Sequence, residues 1–333
     1  MESMYAMFYY AGYNATSVNI GSLANWTVSK VLDMSYMFCG FAYSSSSLDL
    51  GDLSNWDTSS VQNIGYMFIR LGYLSTSLNV GSLKNWDTSS VTSMEATFNR
   101  FGYSASSVSL DLSGWDTSNV TNMDCMFTLA GYNATTFSLG DLANWKTSSV
   151  TIMDEMFAMA GYKATTFNLG NLDNWDVSKI TNMVHFFYNS GCNATTWNVG
   201  NLSKWNTSNV TNMMGMFAHA GYKATTFNIG DISGWDVSKV SIFSAAVTVN
   251  GNSLSGIDGM FAWAGENATT FYIGDISKWK TTSATIMDCM FWRTGLNATY
   301  TLNLSSWDVS KVTSHLYFNE WVSSKVTAPT WVS

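Results

Sequence analysis

A chain of 333 residues that is 46% apolar and 15% aromatic has ample material for a core. Its net charge of −8, with 11% charged residues and no run of Lys or Arg, argues against nucleic acid as a partner, because phosphate binding needs a basic stripe. No uninterrupted apolar stretch reaches membrane-spanning length, so membrane insertion is not expected either.

The first residues, MESMYAMFYYAGYNAT, carry no basic region and no cleavage site, so no signal peptide is read in this chain. Met1, Met4, Met7 and Phe8 fall where later units place Val, Met, Met and Phe. The chain is therefore expected to open in mid-unit, with apolar residues that preceding sequence or another subunit must cover.

The unit itself is marked by Trp26, Trp56, Trp86, Trp115, Trp145, Trp175, Trp205, Trp235, Trp279 and Trp307, spaced 28 to 30 residues apart except for one step of 44. A single period sustained over about ten units predicts a solenoid, in which no coil buries its own apolar face alone. Ahead of each Trp the pattern alternates. In TTFNLG, Phe167 and Leu169 face one way, Thr166 and Asn168 the other, which is strand periodicity. One strand per coil predicts a parallel sheet. Its outward row includes Thr136, Thr166, Asn168, Thr196, Asn198, Thr226, Asn228 and Thr270.

After the Trp, the spacing changes. Val120, Met123, Met126 and Phe127 recur at i, i+3, i+6 and i+7, which predicts one face of a short helix. Asp116, Thr117 and Ser118 are helix N-cap types, and Gly131 suits the residue that closes a helix. The expected fold is thus an α/β solenoid of about ten 30-residue units over 1–318. Each coil would hold one parallel strand and one short helix, in a right-handed, leucine-rich-repeat-like path. Units up to about residue 130 have Val or Leu inside and Ser outside; those of 131–318 have Phe or Trp inside and Thr outside, which suggests two repeat tracts. About 14 extra residues predict a loop inserted near 241–259, and the irregular 319–333 segment, with Pro329, reads as a C-terminal cap.

Nothing in the pattern assembles chemistry. His185, His219 and His315 occupy different places in the repeat, so neither a metal site nor a triad is expected. Cys39, Cys125, Cys192 and Cys289 lie on different coils, the closest two coils apart. That is about 10 Å at a strand spacing of about 4.8 Å, beyond the reach of a disulfide. The Asp ladder after the Trp is broken by Thr27, Lys146, Asn206 and Lys280, which disfavours calcium. No phosphate loop, nucleophile elbow or carboxylate pair stands out, so no enzyme and no cofactor are expected.

The units LSNWDTSSVQNIGYMF, LSGWDTSNVTNMDCMF and LSKWNTSNVTNMMGMF resemble the repeat of BspA-like leucine-rich-repeat bacterial surface proteins. The added G-Y-N-A-T-T segment departs from that pattern and lengthens each coil. The resemblance implies an extracellular or cell-surface protein that adheres to host or matrix proteins or glycans, and it carries over no catalytic residues. The alternative is a structural subunit that self-associates head to tail into a filament. An ice-binding face is a third reading, disfavoured because Asp49 and Tyr272 interrupt the outward array.

Overall fold

The structure is a computed structural model that describes residues 2–246, 248–250, 253–255 and 257–332. Met1 and part of the inserted loop near 241–259 lie outside the described residues. The chain is a repeat solenoid built from short parallel strands. β1 (Ser47–Asp49) pairs with β2 (Ser77–Asn79), β3 (Ser107–Ser109) with β4 (Thr136–Ser138), and β5 (Thr166–Asn168) with β6 (Thr196–Asn198). β7 (Thr226–Asn228) pairs across the insertion with β10 (Thr270–Tyr272). The insertion itself holds an antiparallel hairpin of β8 (Thr248–Asn250) and β9 (Ser253–Ser255). Register is one unit per coil: Phe167 lies opposite Trp197 and Thr166 opposite Thr196. Main-chain bonds such as Thr165 N–H to Thr135 O, 3.1 Å, connect one strand pair to the next.

Among the described residues no helix follows the Trp. That expectation is corrected by the hydrogen bonds of residues 123–130. Along this run the N–H groups of Met123, Cys125, Phe127 and Leu129 donate to Ile152, Asp154, Met156 and Ala158 of the following coil at 2.8–2.9 Å. Those of Met126, Thr128 and Ala130 instead donate three residues back, to Met123, Cys125 and Phe127. A helix would bond four residues back throughout. The segment is a chain of β-turns, with Cys125 at φ 53° and Leu129 at φ 60° in the left-handed region. Such residues cost on the order of 1 kcal/mol each, and the shared bonds to the next coil offset that cost. The spacing of 3, 3 and 1 was common to both conformations, because turns closed by i−3 bonds also return a side chain to the same side about every third residue.

Thickness decides between them. Phe98, Phe127 and Phe157, in the same slot of three successive coils, stack at 5.6 and 5.5 Å. Packed helices need 8–10 Å between axes, so a helical side would have to fan out against strands about 4.8 Å apart, and rings 5.5–5.6 Å apart leave no room for that. The turn run is as thin as a strand and lets every coil lie flat on the next. The residues read as helix caps serve the corner instead: Asp116 Oδ1 accepts from Ser118 N–H at 3.0 Å, and Thr117 Oγ1 donates to Lys146 O of the next coil at 3.0 Å. Gly131 does take positive φ, 56°, and a Cβ there would meet Phe137 Cδ2 at 2.6 Å. Ala42 fills the equivalent slot at φ 51°, where the corresponding strand residue is Leu48.

A continuous core runs from Met4 to Val326 and contains the Trp, Met-Phe and strand ladders. Burying each large apolar side chain contributes about 1.5–3 kcal/mol. At the far end, β11 (Leu302–Asn303) pairs with β12 (Val326–Thr327), Val322 and Val326 are buried, and Trp331 stacks on His315 at 4.0 Å.

Candidate functional site

The strand side is the most regular exposed surface. Strand geometry turns Phe167, Trp197, Phe227 and Phe271 into the core, where their rings stack at 5.0–6.3 Å. The same geometry exposes Thr136, Thr166, Thr196, Thr226 and Thr270 with Asn168, Asn198 and Asn228. The register brings Thr166 beside Thr196, Thr226 beside Thr270, and Asn168 beside Asn198; Thr136 lies beside Ser107.

The polar atoms here divide into bonded and free. Thr135, Thr165, Thr195, Thr225 and Thr269, one residue earlier in each coil, donate their hydroxyls to the carbonyls of the preceding coil at 3.2–3.4 Å. The hydroxyls of Thr136, Thr166, Thr196, Thr226 and Thr270 have no such bond among the described residues. Each Asn is oriented by its own turn: Asn168, Asn198 and Asn228 accept from the N–H of Gly170, Gly200 and Gly230 at 2.9–3.1 Å. Asn198 Nδ2 further donates to Asn168 Oδ1 at 2.8 Å. Side chains held in this way present their remaining groups without further ordering cost.

In β10 the column changes. Tyr272 stands opposite Asn228 and is 47% exposed. Read in the sequence as an interruption, it forms a ridge between two hollows. One, of about 580 Å³, includes Asn198, Asn201, Thr226, Asn228 and Asp231 in its lining. The other, of about 250 Å³, lies toward Tyr300 and Thr301.

The turn side carries two columns that the sequence reading missed. Tyr13, Tyr43, Tyr73, Tyr103, Tyr132 and Tyr162 form a face-to-face stack with ring centroids 4.5–4.9 Å apart. Their signal was the recurring residue after the coil-closing Gly. Glu95, Asp124 and Asp154 hold the slot after the first Met of three successive coils. Burial, with Asp124 beside it, pushes the Asp154 carboxyl up to about 6; burial also raises Asp124. Asp154 Oδ2 accepts from Asn182 at 2.8 Å, while its buried Oδ1 has no hydrogen-bond partner. Glu155, held low chiefly by its hydrogen bond to His185, lies 3.8 Å from that ring, and Asp258 lies 4.0 Å from the ring's other nitrogen. His219 is separate: it stacks on Trp263 at 4.2 Å, and burial drives it down to about 4. Among the described residues, no group of three His, Cys, Asp or Glu side chains could hold a metal ion. No described helix is long and apolar enough to cross a membrane.

The family model described as "Mycoplasma protein of unknown function, DUF285" matches the chain in five overlapping stretches: 2–99, 41–163, 71–189, 159–254 and 245–328. No curated protein and no solved structure matches it.

Proposed function

Because the chain belongs to the DUF285 repeat family, whose function is unknown, we propose from its own surface that it is a non-enzymatic adhesion scaffold. It acts outside the cell or on its surface and binds host or matrix proteins or glycans. The observation that carries this reading is the row of exposed, unbonded threonine hydroxyls at Thr136, Thr166, Thr196, Thr226 and Thr270, set on a rigid stack of coils. A surface repeated at one coil spacing offers many weak hydrogen bonds in parallel, and linked weak contacts raise overall affinity without any single strong one. The likeness of the Trp-Asp-Thr-Ser units to BspA-like surface proteins supports the same reading. The test is retention on immobilised matrix proteins and on glycan arrays; absence of retention on both would sink it.

Head-to-tail assembly is the second reading. Phe8, Val18, Ile20 and Trp26 in the first coil are only partly buried, while Phe38, Leu48, Leu50 and Trp56 in the second are buried. The first coil's apolar edge accepts another coil, whether from the same chain or from another subunit. An open heterologous contact of that kind propagates into a filament, and electron microscopy of concentrated protein would reveal it.

A further inference from the structure

We infer that Tyr272 and the hollow beside it form a subsite for a neutral sugar residue of an oligosaccharide. This inference rests on the adhesion reading and names the ligand class for one place on that face. The Trp and Phe ladders are stacked inside the core, and the other exposed rings are engaged: Tyr5 and Tyr9 pack on Tyr36, Tyr13 stacks on Tyr43, and Trp321 lies beside the Arg293 guanidinium. Tyr272 differs: it stands 47% exposed and makes no ring contact among the described residues.

The outward strand position exposes it, as it exposes Asn168, Asn198 and Asn228, and the following coil differs from theirs. Trp279 to Trp307 is 28 residues, two fewer than the usual step, and Tyr300 turns inward to pack under Phe271 at 4.7 Å. Among the described residues β10 has no strand partner in the next coil, and the 250 Å³ hollow lies there, lined by Tyr300, Thr301 and Leu302. On the other side, the 580 Å³ hollow gathers hydrogen-bonding groups that are already oriented. Asn201 Oδ1 accepts from Ser203 N–H at 2.9 Å, Asn228 Oδ1 from Gly230 N–H at 2.9 Å, and Asp231 Oδ1 from Ser233 N–H at 3.0 Å. The amide nitrogens of Asn201 and Asn228, the second oxygen of Asp231 and the Thr226 hydroxyl are left over, a mixture of donors and acceptors. A flat apolar ring beside fixed carboxamide, carboxylate and hydroxyl groups matches a pyranose, whose C–H face packs on an aromatic while its hydroxyls both donate and accept. Asp231 is the lining's single charged residue, and no Lys or Arg lines the hollow, so the match is to a neutral sugar rather than an anionic one.

Saturation-transfer NMR of the full chain with cellotetraose, maltotetraose and chitotetraose tests this. At least one of the three is expected to respond through its ring C–H protons. Tyr272→Ala should weaken that binding at least about tenfold, as truncation of an aromatic anchor does, whereas Tyr272→Trp should retain it and Asn79→Ala, remote on the same face, should leave it unchanged. No response from any of the three, or an undiminished response in Tyr272→Ala, overturns the subsite. Surface retention that survives Tyr272→Ala in a protein without an oligosaccharide response also overturns the subsite and leaves adhesion standing. A Tyr272-dependent response from a protein that retains no cell or matrix surface supports the subsite and removes adhesion.

Discussion

The indole Nε1–H of Trp145 donates to the main-chain carbonyl of Leu112, 33 residues earlier, at 3.0 Å. The same oxygen accepts Trp115 N–H at 3.1 Å. Trp175 repeats the bond to Leu142 and Trp205 repeats it to Leu172, at 3.0 and 2.8 Å. A buried indole needs an acceptor, and each coil supplies one to the next. Trp145→Phe should therefore cost about 1–2 kcal/mol in urea unfolding through the lost bond and the small void. Trp145→Ala should cost about 3–5 kcal/mol. Equal losses for the two variants would show that the indole N–H contributes nothing.

The exposed threonines should behave in the opposite way. Thr166→Ala with Thr196→Ala removes two hydroxyls that bond nothing within the described protein, so stability should change by less than about 0.5 kcal/mol. Retention on the adhesion ligand should nevertheless weaken. Unchanged retention would move the contact to the hairpin or to the turn side.

Two half-buried titrating groups should push stability in opposite directions over nearly the same pH range. Asp154 rises to about 6 in the fold, so between its unfolded value near 4 and about 6 the native state holds the extra proton, and stability falls as pH rises. Asp154→Asn should therefore raise the melting temperature relative to wild type at pH 7.5, with the gain disappearing near pH 4. His219 falls to about 4 in the fold, so between its unfolded value near 6.5 and about 4 the unfolded state holds the extra proton. Its contribution is present above pH 6.5 and is lost as pH drops, by about 3 kcal/mol in all. His219→Phe should flatten that loss in urea titrations at pH 7 and 4.5. Trp263 fills the same slot in the next coil at φ 55°, so an aromatic ring fits there. A parallel pH response in wild type and His219→Phe would contradict the assignment.

All four cysteines are unpaired. Burial pushes Cys39 up to about 11 and both Cys125 and Cys289 up to about 12, and it raises Cys192 as well. Thiolate is the reactive form, so folded protein should react slowly with a thiol reagent at pH 8. Denatured, unreduced protein should then take up four equivalents. Two equivalents would mean a disulfide that these coil positions forbid.

The Trp period and the strand alternation were legible because both are local: a period of 2 around Phe167 and a return every 30 residues need no partner to be read. They established the solenoid, the inward Phe167 and Trp197, and the outward Thr166 and Thr196. The run from Val120 to Phe127 was not decidable in this way. A helix and a turn run bury the same positions, and what separates them is where Cys125 N–H finds its acceptor. That acceptor, Asp154 O, belongs to the next coil and exists only once the coils have stacked. The same holds for the surface. The Thr row could be read from its own strand, but the hollow beside Tyr272 depends on where Tyr300 and Thr301 lie one coil later, and the raised Asp154 on burial between coils and a carboxylate one coil earlier. Sequence determined what each coil repeats, because that information lies within one unit. Tertiary structure decided hydrogen-bond partners, exposure and charge, because each of those belongs to two coils at once.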